Sequence, residues 1–221
     1  KTTLMKIMAG LLDEDTGSVS VNTKCLSKWD RTDLARERGY LPQNRNIYWS
    51  LTVEKVIQLG QLQYANQWNT DLDTSPTSVS DIIKDTGLEH LQFRKVDTLS
   101  GGELAQVLLA RLLVGDPRIV LADEPVSGLD PSHCLQVMER LQALAVDGAL
   151  VICVTHDLVL ASRFCDRLIL LDNGKVLADG DPDKVLSEKN LYAAYGVKAI
   201  DIICDGETAI VPWSRTEKPM S

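Results

Sequence analysis

Three stretches of this chain are apolar at successive positions: Ile119-Val120-Leu121-Ala122, Leu150-Val151-Ile152-Cys153-Val154 and Leu168-Ile169-Leu170-Leu171. A strand shows its side chains alternately to the two faces of its sheet. A run with no polar position therefore asks for cover on both faces, which a parallel sheet layered between helices supplies. The segment between the first two runs offers such a helix, from Pro131 to about Ala145, with Leu135, Met138, Leu141 and Ala145 as its expected buried stripe. Strands alternating with helices define an α/β fold.

The rest of the chain is organised around that core. Lys1-Thr2-Thr3-Leu4-Met5-Lys6-Ile7-Met8 reads as a helix from its first residue, with nothing ahead to cap it, so the chain reads as lacking the opening stretch of its domain. Gly17 to Val21 is a short strand after an acidic turn, and Arg38-Gly39-Tyr40-Leu41-Pro42-Gln43 is another. Residues 51 to 64 and 78 to 92 read as helical, separated by a polar loop at Asn69 to Pro76, so residues 44 to 96 form a mainly helical insert. Ala199 to Ile203 and Thr208 to Val211, around Asp205-Gly206, read as a terminal hairpin. The expected organisation is a core of residues 1–43 and 97–195, a helical subdomain at 44–96, and a hairpin and tail at 196–221.

Composition narrows the function. A length of 221 residues, 44% of them hydrophobic, suffices for one sizeable core. The net charge of −8, with no basic cluster, argues against a nucleic-acid partner, because phosphate neutralisation carries most of that affinity. Cys25, Cys134, Cys153, Cys165 and Cys204 are odd in number and widely spaced, which suits reduced, buried thiols of a cytosolic protein. No apolar run approaches the roughly 20 residues that span a bilayer, so a membrane role needs a partner that does the spanning.

Several residues carry chemistry, each beside a plainer explanation. Lys1-Thr2 opening a helix is either an ordinary helix start or the end of a phosphate-binding loop, with Lys1 on the β- and γ-phosphates and the Thr2 hydroxyl on Mg²⁺. Asp123-Glu124 closes the first apolar run. Alone it reads as a solvated strand end; as a site, its adjacent carboxylates point to opposite sides, one toward Mg²⁺ and one toward an attacking water. Ser100 and Glu103 fit a capping box. The box leaves Gly101 and Gly102 unexplained, whereas bare amides at a helix start suit a phosphate. His156 ends the second run; it is either a structural histidine or, where strand ends gather ligands, an imidazole that meets a γ-phosphate or a water. Gln43 ends its own strand and has Mg²⁺ or water within reach, or is a surface amide. Asp130-Pro131 needs only its capping role.

In order, Lys1-Thr2-Thr3, Gln43, Leu99-Ser100-Gly101-Gly102-Glu103, Asp123-Glu124, Ser127-Gly128-Leu129-Asp130 and Thr155-His156-Asp157 resemble the ABC ATPase family over residues 1 to about 195. The signature departs slightly, with Glu103 where Gln is common. The resemblance implies a P-loop NTPase core with a mostly parallel sheet flanked by helices, an inserted helical subdomain and a small C-terminal β-hairpin. It implies ATP and Mg²⁺ as cofactors and a head-to-tail homodimer with ATP at the interface. Lys1, Thr2, Thr3, Gln43, Asp123, Glu124 and His156 would act on one nucleotide, with Thr2, Gln43 and Asp123 at the metal and Glu124 as general base. Ser100, Gly101 and Gly102 would contact the γ-phosphate held by the other subunit, and Asp130 would couple the two sites. The helical insert, with Ile47-Tyr48-Trp49 as a possible part of the contact, would dock on a membrane permease.

The tail, with Gly180 to Leu186, Tyr195-Gly196-Val197 and the hairpin ending Val211-Pro212, looks like importers of iron-siderophores, haem or cobalamin. Such an importer works at the cytoplasmic face of the inner membrane, as a peripheral subunit, with permease subunits and an extracytoplasmic solute-binding protein. A soluble ABC ATPase of assembly or translation is the alternative. A module that has lost catalysis is disfavoured, because Glu124 and His156 are both in place.

Overall fold

The computed structural model describes residues 1–44, 50–64, 77–204 and 206–216. Backbone contacts divide the chain into two compact units, Thr2–Val154 and Thr155–Ser221, with Lys1 counted to the second.

In chain order the first unit comprises α1 (Thr2–Met8), β1 (Ser20–Val21), β2 (Lys24–Cys25), α2 (Arg31–Glu37), β3 (Arg38–Leu41), α3 (Val53–Gln58), α4 (Val79–Asp85), α5 (Gly101–Leu113), β4 (Ile119–Asp123), α6 (Pro131–Val146) and β5 (Leu150–Val154). Strands β3, β4 and β5 form a parallel sheet with β4 in the middle, Tyr40 opposite Leu121 and Leu121 opposite Ile152. The central strand is apolar throughout because it is covered: Val120, Leu121 and Ala122 are buried, and Leu121 packs with Met5 and Ala9 from α1 and its following turn. A second apolar cluster joins Val53, Val56 and Ile57 of α3, Ile82 and Ile83 of α4, and Leu88, Leu91 and Val96 to Val107, Ala110 and Val114 at α5. The insert thus folds onto the helix that begins at Ser100.

The second unit contains α7 (Leu158–Phe164), β6 (Leu168–Asp172), β7 (Lys175–Gly180), α8 (Pro182–Val185), α9 (Glu188–Tyr195), β8 (Val197–Cys204) and β9 (Glu207–Arg215). Leu170, Val185, Leu186, Leu191 and Ile210 form its core. The expected terminal hairpin is present, with β8 and β9 paired antiparallel from Val197–Arg215 to Cys204–Glu207.

The α/β class and the parallel sheet agree with the sequence reading, and several details do not. The third apolar run is β6, which pairs antiparallel with β7. The reason is the turn Asn173-Gly174, both residues at positive φ (47° and 77°), which sends the chain straight back. Consistent with cover on one face only, Ile169 is 56% exposed. The strand expected from Gly17 shrinks to Ser20–Val21, since Gly17 at φ 93° cannot lie in extended backbone. Both insert helices are shorter than expected. The first ends at Gln58 and tightens into a 3₁₀ turn through Leu59–Tyr64, and the second stops before Gly87 at φ 69°. On α6 the buried residues are Val137, Met138 and Leu141, with Leu135 and Ala145 only half-buried. The thiols were expected to be buried, but Cys25, Cys134, Cys153 and Cys165 are only half-buried and Cys204 is exposed. The loop expected at Asn69 to Pro76 and the aromatic cluster Ile47-Tyr48-Trp49 lie outside the described residues.

Candidate nucleotide site

Asp123 is the last residue of β4 and is fully buried. Burial follows from its place at the end of a central strand, where no side of the strand faces water. Its Oδ1 accepts a hydrogen bond from the Thr2 hydroxyl at 3.4 Å, at the first residue of α1. Its Oδ2 is buried with no hydrogen-bond partner among the described residues. Beside it on β3, Tyr40 has its phenol pushed up in pKa, first by burial and then by the charge and hydrogen bonding of Asp123. A buried carboxylate oxygen without a donor costs more than the about 1–3 kcal/mol of a neutral unsatisfied group.

That orphaned oxygen fits a divalent cation. The hydroxyl of Thr2 and the carboxylate of Asp123 are hard oxygen donors adjacent to each other. Among the described residues no three His, Cys, Asp or Glu side chains gather into a full metal cage. A sparse oxygen set of this kind is what Mg²⁺ uses when substrate phosphates and waters complete its shell.

Glu124 follows directly, and its geometry is not apparent from sequence. It adopts φ 49°, a left-handed conformation that costs a non-glycine residue about 1–3 kcal/mol. Its N–H still donates to Val154 O at 2.9 Å, continuing the β4–β5 ladder, and its carbonyl accepts from Ser127 N at 3.2 Å, closing a turn. Gln43, two residues beyond β3, donates from Nε2 to Glu124 Oε2 at 2.8 Å. The strained residue thus carries a carboxylate held by an amide from the neighbouring strand.

The start of α5 is a full capping box. Ser100 Oγ accepts from Glu103 N at 3.2 Å, and Glu103 Oε2 accepts from Ser100 N at 2.7 Å. These bonds satisfy Ser100 and Glu103, and the N–H groups of Gly101 and Gly102 have no intrahelical acceptor, as at any helix start. The two glycines then differ. A Cβ on Gly101 would enter open space, whereas one on Gly102 would lie 2.6 Å from the His133 ring. Gly102 is buried, and its missing side chain also makes room for an imidazole, a packing reason for glycine that stands beside the expectation of a bare backbone for a phosphate.

Asp130 caps α6 as expected, accepting from His133 N at 3.2 Å, with Pro131 at the first helical position. His133, through its side chain and its backbone N–H, holds the Asp130 carboxyl below its ordinary pKa. In the second unit, Lys1 Nζ donates to Thr155 O at 3.3 Å, next to His156, which is exposed. Thr155 Oγ1 accepts from Asp157 N, and Asp157 Oδ1 accepts from Leu160 N to start α7. Thr3 is exposed on α1.

The structure therefore brings Thr2 to Asp123, Gln43 to Glu124, and Lys1 to the residue before His156. Sequence reasoning missed Tyr40 and His133. Tyr40 was visible as the residue three before Gln43. His133 was visible as the third residue of a helix whose cap is Asp130.

The chain that carries this buried carboxylate, strained glutamate and helix-start threonine matches the ABC transporter family over residues 1–127. It belongs to that family, whose ATP-binding subunits are ATPases. The hemin import ATP-binding protein HmuV of Bordetella avium is 37% identical over 207 residues, covering 90% of this chain and 78% of the relative. An inward-facing metal-chelate-type ABC transporter superposes with a TM-score of 0.79 at 20% identity over 96% of this chain and 81% of its own, a likeness of fold. A dimeric ATP-binding cassette in a post-hydrolysis state, bound to ADP and phosphate, is 27% identical with a TM-score of 0.69, covering 82% of this chain and 80% of its own.

Proposed function

We propose that this ATP-binding subunit powers an importer from a head-to-tail dimer, with each ATP held between Lys1, Thr2, Thr3, Gln43, Asp123, Glu124 and His156 of one copy and Ser100, Gly101 and Gly102 of the other. The observation that carries the reading is the pairing at the end of the parallel sheet: Thr2 hydroxyl with buried Asp123, and Gln43 amide with Glu124. Thr2, Asp123 and Gln43 would hold Mg²⁺, which supplies charge neutralisation to the phosphates when bound. Glu124 accepts the proton of the attacking water, and the Gln43 amide keeps the accepting carboxylate in place. Lys1 offsets phosphate charge, and Asp130 relates the two sites across the interface.

No helix among the described residues is long and apolar enough to cross a membrane. The likeness to import ATP-binding proteins supports separate permease subunits as the spanning partners, fed by an extracytoplasmic solute-binding protein. The subunit would then sit peripherally on the cytoplasmic face of the inner membrane. The naming of relatives as hemin import proteins supports haem or a related iron chelate as the solute. In the full-length protein, Glu124→Gln is expected to leave ATP binding intact and to lower turnover by about 100-fold or more. Undiminished hydrolysis in that variant refutes the assignment.

A further inference from the structure

Gly102 and Asp130 begin different helices, and one side chain joins them. His133 Nδ1 meets Asp130 Oδ2 at 2.5 Å while the His133 backbone N–H donates to Asp130 Oδ1 at 3.2 Å. The same imidazole lies over Gly102, where an added Cβ would stand 2.6 Å from ring Cγ and 2.7 Å from Cδ2 and Nδ1. About one turn further along the two helices, Gln106 Nε2 donates to Gln136 Oε1. Capping of α6 needs only the Asp130 oxygen that receives the backbone N–H. The ring on the second oxygen, pressed into the space a side chain at position 102 would take, is not required for that.

We propose that His133 is a positioning residue of the ATPase, locking the Asp130 carboxylate and the Ser100–Gly102 turn into one rigid pair within a subunit. The inference rests on the head-to-tail reading above and deepens it. In that arrangement both groups face the same partner copy, Ser100–Gly102 its nucleotide and Asp130 its opposing site. Their mutual offset must then be set before the interface closes, because misplacement by about 1 Å can cost 100-fold in rate. His133 sets the offset by two means at once: a hydrogen bond to Asp130 and a ring that fills the space a Cβ at position 102 would take. Both glycine and histidine are needed, since a side chain at 102 would expel the ring and a smaller residue at 133 would leave Asp130 held by backbone alone.

The test is steady-state ATP hydrolysis by the full-length protein assembled with its permease, with four variants. His133→Leu fills the space without a donor and is expected to lower kcat by about 10- to 100-fold with the ATP KM changed by less than about threefold. His133→Asn, which keeps an N–H donor, is expected to recover part of that loss. Gly102→Ala is expected to be severely impaired, and Gly102→Ala combined with His133→Ala to hydrolyse several-fold faster than Gly102→Ala alone. Thermal midpoints of all variants report folding, and the asparagine and double variants carry the test if the leucine variant does not fold. Wild-type kcat in His133→Leu, or equal impairment of Gly102→Ala with and without His133, overturns the proposal. Absence of hydrolysis in the wild-type complex, or full activity in Glu124→Gln, overturns instead the ATPase assignment on which it rests.

Discussion

Gln43 Nε2 stands 2.8 Å from Glu124 Oε2 across 81 residues of sequence. The bond exists because β3 and β4 are parallel neighbours, so that the chain leaving each strand emerges at the same sheet edge. Glu124 reaches it only through a left-handed backbone at φ 49°. Strain of that kind persists where surrounding structure over-determines it and is concentrated at functional sites.

Removing the amide should therefore free the carboxylate. Gln43→Ala is expected to lower kcat about tenfold, less than Glu124→Gln, with little change in nucleotide affinity. Gln43→Glu should be worse than Gln43→Ala, because a second carboxylate at hydrogen-bond distance repels the first. Steady-state ATPase kinetics with nucleotide-binding isotherms check both.

Asp123 is buried with Oδ2 unsatisfied, so its charge destabilises the ligand-free fold. Asp123→Asn removes the charge and is expected to raise the thermal midpoint without Mg²⁺ by about 2–4 °C. The same variant should lose the gain in nucleotide affinity that Mg²⁺ confers. Calorimetry with and without Mg²⁺-nucleotide measures both effects, which have opposite signs.

The insert is seated on α5 through a backbone contact at Gly60, where a Cβ would lie 1.9 Å from Arg111 O and 2.6 Å from Val114 Cγ1. A backbone oxygen in a helix cannot step aside as a side-chain tip does. Gly60→Ala is expected to cost about 3 kcal/mol, a fall of roughly 6–12 °C in thermal midpoint. A variant as stable as the wild type would mean that the 3₁₀ turn at Leu59–Tyr64 does not pack against α5 this closely.

Backbone and side-chain hydrogen bonds from Ser100, with a smaller contribution from Arg94, hold the Glu103 carboxyl below its ordinary pKa. Since the folded value is the lower one, this cap stabilises above the unfolded pKa of about 4.3 and fades as pH falls through the folded value. Glu103→Gln should lower the thermal midpoint at pH 7 by about 2 °C, and the gap should close on acidification below about pH 4. Parallel acid titrations of thermal unfolding show whether the two curves converge.

Much of this protein was legible along the chain because its signals are local. The apolar runs at Ile119–Ala122 and Leu150–Val154 declare buried strands, and Asp130-Pro131 and Ser100–Glu103 declare helix starts, since strand burial and capping depend on neighbours within a few residues. The candidate residues Thr2, Asp123, Gln43 and Glu124 were legible as types in an order. Their contacts were not, because pairing Gln43 with Glu124 depends on which strands lie side by side. The turn at Asp172-Asn173-Gly174 was legible after Leu168–Leu171, but tertiary structure alone decided that Glu124 lies at positive φ and that the His133 ring fills the space beside Gly102. Each of these two depends on atoms brought close by folding from distant parts of the chain, which a one-dimensional pattern does not record.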